Sequence, residues 1–221
     1  MAHVPICVLD IETFYLPVAT KGSFTAQAFR VAGIGWLCVY SLHERRMYHF
    51  DRHNASEAAP LLNGAVVVGW NIDDFDIPLY EACTGLILTP HHTEDLFAKA
   101  KQITGGTWIG VDEAAKFTIG RGKTGDGMDA PALAQAGRWA ELARYTSDDV
   151  MLEVDMFAFV RKHGYFRFAD GIVPMQVWGG VPAWAWPHRD PTDRQLAAIK
   201  ARGCAEPADY YEARRLLNRM R

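Results

Sequence analysis

A chain of 221 residues with 49% hydrophobic content can bury roughly 70% of its unfolded surface, so it is an ordinary globular protein, one domain plus an appendage. Its formal net charge of −3 argues against a uniformly basic nucleic-acid coat, but the charge is uneven. Residues 189–221 hold eight Lys/Arg against five Asp/Glu, and residues 1–188 hold 15 against 21, giving an acidic body with a basic tail. The cysteines Cys7, Cys38, Cys83 and Cys204 have no C-x-x-C spacing, which speaks against a zinc knuckle or a disulfide framework and for a reducing cytoplasm. No apolar run approaches the ~18 residues of a membrane span, and no leader-like segment opens the chain. A cytoplasmic protein without membrane contact is expected.

In chain order, Ile6 to Thr13 reads as a buried strand that carries two acids. Residues i and i+2 of a strand share a face, so Asp10 and Glu12 present their carboxylates side by side. Like charges on a buried strand are costly unless a cation neutralises them, and carboxylates alone suit Mg²⁺ or Mn²⁺. A polar connection is expected from Phe14 to Phe29, then a strand from Arg30 to Tyr40 with Arg46 to Phe50 as its hairpin partner. Ala55 to Leu62 reads as a brief helix and Ala65 to Gly69 as a buried parallel strand. The next helix is expected to be capped by Asp73 or Asp74, with Asp76 as an inward-pointing ligand.

His91 to Phe97 reads as an edge strand or its exit, and the adjacent His91 and His92 diverge and are expected to be solvated. Residues 104–127 are Gly-rich and read as a flexible connection between helices. Gly122-Lys123-Thr124 superficially suggests a P-loop, but Phe117 stands where that motif needs glycine. Lys123 is expected instead to reach a nucleic-acid phosphate. From Ala130 to Gly164 the pattern is helical, interrupted at Gly137, with an apolar stripe of Trp139, Leu142, Val150, Val154 and Phe157. Tyr145 and Asp149 fall four apart on one face of it. Residues 166–188 are aromatic and rich in Pro and Gly, an expected strap, and 189–221 read as a basic helical hairpin appended to a first domain of residues 1–165.

Taken together, Asp10-x-Glu12, Asn71-x(3)-Phe75-Asp76 and Tyr145-x(3)-Asp149 resemble the three motifs of the DEDD superfamily of RNase-H-like 3′→5′ exonucleases. The second motif is similar to that of family B polymerase proofreading domains, and Arg144 stands where the histidine branch carries its base, so the resemblance is to the tyrosine class. Lys123-Thr-Gly-Asp-Gly127 is similar to a stretch of stand-alone bacterial and phage exonuclease domains, although Thr146 replaces a cysteine often found after the tyrosine. The resemblance implies an α/β fold, a mixed five-stranded sheet flanked by helices, here with a small C-terminal helical extension. It implies two divalent ions, Mg²⁺ or Mn²⁺, held by Asp10, Glu12, Asp76 and Asp149, with Tyr145 orienting the attacking water. Thr13, Asn71 and Phe75 would hold the 3′-terminal nucleotide. The implied product is a 5′-mononucleotide, from DNA in preference to RNA. A helicase or a replication or repair partner would act in trans. Two alternatives stay open at this point, an exoribonuclease of the same fold and a catalytically idle module that binds nucleic acid or a partner.

Overall fold

The computed structural model describes residues 4–20, 22–103, 106, 108–123, 129–168, 171–180, 197, 200 and 201. Strand β1 (Ile6–Thr13) is followed by helix α1 (Ala26–Ala32), the antiparallel pair β2 (Ile34–Ser41) and β3 (Arg46–Phe50), and a 3-10 turn leading into α2 (Ala59–Leu62). Then come β4 (Val66–Gly69), α3 (Asp76–Thr84), β5 (His92–Asp95) and α4 (Leu96–Ile103). Helices α5 (Val111–Ile119), α6 (Asp129–Gln135) and α7 (Trp139–His163) precede a hairpin of β6 (Tyr165–Phe168) and β7 (Gly171–Pro174). Among the described residues no helix is long and apolar enough to cross a membrane.

The large sheet has the order β3-β2-β1-β4-β5. β1 lies at its centre, antiparallel to β2 and parallel to β4, and β4 is parallel to β5. This is the α/β architecture with a mixed five-stranded sheet that the sequence implied. Cys7, Leu9 and Ile11 project to one face and pack with Phe29 of α1, Leu62 of α2, and Leu79 and Tyr80 of α3. Burying each large apolar side chain there contributes about 1.5–3 kcal/mol. Alternation sends Asp10 and Glu12 to the other face. There Cys38, opposite Asp10 in the register, lies 3.7 Å from Ser147 of α7.

The chain divides into two compact units. The first comprises residues 1–98 and 123–155 and holds the large sheet. The second comprises 99–122 and 156–221, and within it the β6–β7 hairpin meets α5 through Thr118, whose hydroxyl donates to Arg167 O at 3.1 Å and accepts from Arg167 N at 3.2 Å. Lys99 Nζ also donates to Gln176 O at 2.9 Å.

Three local expectations need correction. The connection from Phe14 to Phe29 contains α1, and Arg30 to Ala32 complete that helix instead of opening a strand. Thr25 caps it by accepting from Ala28 N at 3.1 Å, and Gly33, at φ 66°, ends it. A seven-residue helix spans barely two turns, too short to show its period in the sequence. Residues 104–127 are not connection throughout, because α5 occupies Val111–Ile119, stopped by Gly120 in the left-handed region. Residues 165–168 and 171–174 pair as antiparallel strands where an aperiodic strap was expected to begin. The rest of that strap from 181 on, and nearly all of the expected basic hairpin and C-terminal helical extension, lie outside the described residues. The interruption at Gly137, with φ 68°, does separate α6 from α7.

Candidate metal centre

β1 outruns its parallel neighbour. The β1–β4 pairing ends at Val8↔Val68 and β4 ends at Gly69, so the backbone of residues 10–13 projects beyond β4 on that side. Ile11 N finds its acceptor in Asp76 Oδ1 at 2.8 Å, a contact that seats the first residue of α3 on the acid-bearing strand. At the far end, the register shifts between Glu12 and Thr13. Gly35 faces that bulge, and a side chain there would start 2.9 Å from Thr13 O, closer than real contacts allow. Glycine at this position therefore lets β1 bend where Glu12 is displayed.

Asp10, Glu12 and Asp149 each offer a carboxylate oxygen, and these atoms lie within 4.8 Å of one another, close enough to hold a metal ion. Asp149 is buried at 2% exposure, which answers the choice between it and Asp148 left by the sequence: Asp149 is the acid in the cluster. Asp76, 3% exposed, stands at the edge of this group. One of its oxygens is engaged by Ile11, and it is not among the three mutually close ligands. The expected caps Asp73 and Asp74 are not used. Phe75 occupies the N-cap of α3 with no side-chain hydrogen bond, because the loop is held from another strand. Asp95, at the end of β5, accepts from Asn71 N at 3.0 Å and from Asp73 N at 3.1 Å. That tether keeps Asn71 at φ 68°, a conformation asparagine tolerates better than most residues.

The remaining expected site residues are placed as follows. Thr13 is 4% exposed at the end of β1. The ring of Phe75 meets Phe24 and Phe29 edge-on at 5.6 and 5.5 Å, so one flank of it is held by α1 and the segment before it. Tyr145 is 8% exposed and packs with Ala130, Ala134 and Leu142. Its buried hydroxyl has no hydrogen bond of ordinary geometry, yet lies near enough to Asp149 to favour that residue's ionised form. Lys123 Nζ is 2.6 Å from Asp149 Oδ2 and 5.7 Å from the centre of the Tyr145 ring.

Electrostatically the site is an excess of buried negative charge. Burial, then the charge of Asp149, pushes Asp10 up to about 7. Glu12 and Asp76 are raised well above the usual carboxylate range by burial and by Asp10. Asp149 is raised by burial, against which Lys123 pulls down. The same carboxylates hold the Lys123 ammonium charged against its own burial. Asp10 Oδ2 is buried with no partner. An all-oxygen donor set, an orphaned carboxylate oxygen and an ammonium drawn onto Asp149 together fit a hard divalent cation.

Sequence reading missed Glu153. It follows Asp149 by one helical turn on α7, is 3% exposed, and its Oε2 is also buried without a partner. Burial, then Asp10 and Asp76, raise it well above the normal carboxylate range. The available signal was a like-charged i,i+4 pair beside an apolar stripe, an arrangement that an ordinary helix surface disfavours.

These shifts fix a pH dependence. A carboxylate raised in the folded state binds more protons there than in the unfolded chain, whose value stays near 4. Metal-free stability is therefore greatest below the unfolded value and falls as pH rises from about 4 to about 7. Thermal melts with chelator present should show a melting temperature that drops between pH 5 and 8; a rise over that interval would contradict the charge balance described.

The sequence matches no protein-family model and none of the curated proteins compared with it. In structure the chain is similar to a family B DNA polymerase from the hyperthermophilic archaeon Pyrobaculum calidifontis, with TM-score 0.54 and 16% identity. The likeness covers 72% of this chain and 25% of the polymerase chain. The shared feature is the fold. The mixed sheet with its flanking helices is consistent with an RNase-H-like fold, and this chain sets its acids around the end of the central strand.

Proposed function

We propose that this protein is a metal-dependent 3′→5′ exonuclease that releases 5′-mononucleotides from DNA, acting on single-stranded 3′ ends. The observation that carries the reading is the meeting of Asp10, Glu12 and Asp149 within 4.8 Å beside a buried tyrosine hydroxyl. Support comes also from the fold likeness to a DNA polymerase and from the order of the three motifs in the sequence.

Mg²⁺ or Mn²⁺, held by Asp10, Glu12 and Asp149 with Asp76 beside them, would supply positive charge for the phosphate and make a bound water acidic enough to attack near neutral pH. The chain's own residues do the rest. Tyr145 Oη, buried beside Asp149, orients the water. Lys123 turns its ammonium from Asp149 to a phosphate oxygen when substrate enters, offsetting negative charge that builds up in the transition state. Asn71, fixed by the Asp95 tether, and Thr13 offer hydrogen bonds to the terminal nucleotide, and Phe75, backed by Phe24 and Phe29, offers a ring for base or sugar. Attack breaks the bond between phosphorus and the 3′ oxygen of the penultimate nucleotide. The phosphate leaves on the 5′ carbon of the released unit.

The test is incubation of the protein with Mg²⁺ or Mn²⁺ and 5′-labelled single-stranded DNA, the equivalent RNA in parallel, and Asp10→Ala as control. A ladder shortening from the 3′ end, faster on DNA and absent with the variant, is expected. Faster loss of RNA would make the protein an exoribonuclease. No cleavage of either polymer, with equal DNA binding by wild type and variant, would leave a binding module.

A further inference from the structure

The mechanism above uses four carboxylates and leaves Glu153 without a task. Nothing in a folding argument accounts for it. A glutamate that merely completed the packing of α7 would be satisfied by a neighbour or would reach solvent, since burying an unpartnered carboxylate is strongly unfavourable. Glu153 does neither: it is 3% exposed and its Oε2 makes no hydrogen bond.

Its surroundings show where it points. A Cβ on Gly69 would lie 3.4 Å from Glu153 Oε2 and 2.7 Å from Leu9 O, so this oxygen rests against the last residue of β4, beside the carbonyl that immediately precedes Asp10. Any larger residue at position 69 would crowd that corner. Asp10 Oδ2 is likewise a buried carboxylate oxygen without a hydrogen bond, and Asp10 is the charge that acts most strongly on Glu153. Two orphaned carboxylate oxygens thus remain, one on Asp10 and one on Glu153, while the ammonium of Lys123 sits 2.6 Å from Asp149 Oδ2 and lowers both acids only in part.

We propose that Glu153 is a fifth carboxylate of the metal centre, sharing a divalent cation with Asp10. The inference rests on the metal-centre reading given above and adds a ligand to it from a residue outside the motifs. Mg²⁺ and Mn²⁺ both accept several oxygen donors, and an additional carboxylate adds negative charge that holds either ion. The protein would accordingly hold its second cation more tightly than a four-acid site does.

Titration of Mn²⁺ into the metal-free full-length protein, followed by calorimetry and by the disappearance of the free-Mn²⁺ electron paramagnetic resonance signal, decides it. Wild type is expected to take up two ions. Glu153→Gln, equal in size and uncharged, should bind the weaker of the two at least about 10-fold less well, and Glu153→Asp, which keeps the charge and withdraws it by one methylene, should fall between. Circular dichroism checks that each variant is folded; if the glutamine variant is not, the aspartate variant carries the decision by the same criterion. Two ions bound with unchanged affinity in the folded variants would overturn the role of Glu153 while leaving the metal centre standing. Failure of the wild type to bind Mn²⁺ would overturn both.

Discussion

Asp10→Asn is expected to make the metal-free protein more stable and the metal-loaded protein inactive. The two effects share one cause. Asp10 is held at about 7 because burial and Asp149 oppose its charge, so at neutral pH and above the fold carries a repulsion that the amide removes. An asparagine also brings an N–H₂ that can donate to neighbouring carboxylate oxygens. A gain of about 4 kcal/mol is expected from a shift of this kind at 1.36 kcal/mol per unit, which raises the melting temperature by roughly 8–16 °C for a chain of this size. Activity goes the other way. Losing one of the carboxylates that would hold the metal forfeits several kcal/mol of transition-state stabilisation, about 1000-fold or more in rate. Melting curves in chelator and single-turnover cleavage of labelled DNA, run on the same preparation, check both arms. A variant that is less stable without metal would mean that Asp10 is compensated in a way the charge distribution does not contain.

Lys123→Met should produce the converse. Lys123 Nζ, 2.6 Å from Asp149 Oδ2 with its side chain 19% exposed, supplies positive charge to the buried acids when metal is absent. Removing one partner of such a pair leaves an uncompensated charge and costs about 3–5 kcal/mol, a fall in melting temperature on the order of 10 °C. Mn²⁺ should rescue it. A ligand present at a thousand times its dissociation constant stabilises by about 4.1 kcal/mol, which matches the loss. The diagnostic is therefore the metal-induced rise in melting temperature, larger in Lys123→Met than in wild type. Equal rises in the two proteins would show that the ammonium and the cation do not compete for Asp149.

The parts of the molecule legible in the sequence are those in which local pattern and tertiary role coincide. β1 and β4 are continuous apolar runs because the sheet covers them on both sides. Asp10 and Glu12 stand out because charge interrupts such a run, and Tyr145 and Asp149 stand out because one helical turn separates them. α1 and α5 were not legible, being too short for a period to accumulate between their glycine stops. The cap of α3 was misread because the contest was settled from a distance: Asp95 captures the amides of Asn71 and Asp73, so neither Asp73 nor Asp74 is needed. Glu153 was overlooked for a related reason. An acid on a helix ordinarily faces water, and only the packing of α7 on the sheet reveals that this one does not. The partnership of Lys123 with Asp149 is of the same kind, two residues whose meeting depends on the closed fold.

The overhang of β1 past β4 also bears on how the chain comes together during synthesis. The central strand is made before the elements that complete it: Ile11 must wait for Asp76, 65 residues later, to have its amide satisfied, and the acid cluster waits for α7. Pairings so distant in sequence form late, after their loop-closure entropy has been offset by nearer contacts. An early strand of this sheet is thus completed late, and the mutual repulsion of the acids is encountered only when most of the hydrophobic core is already in place to withstand it.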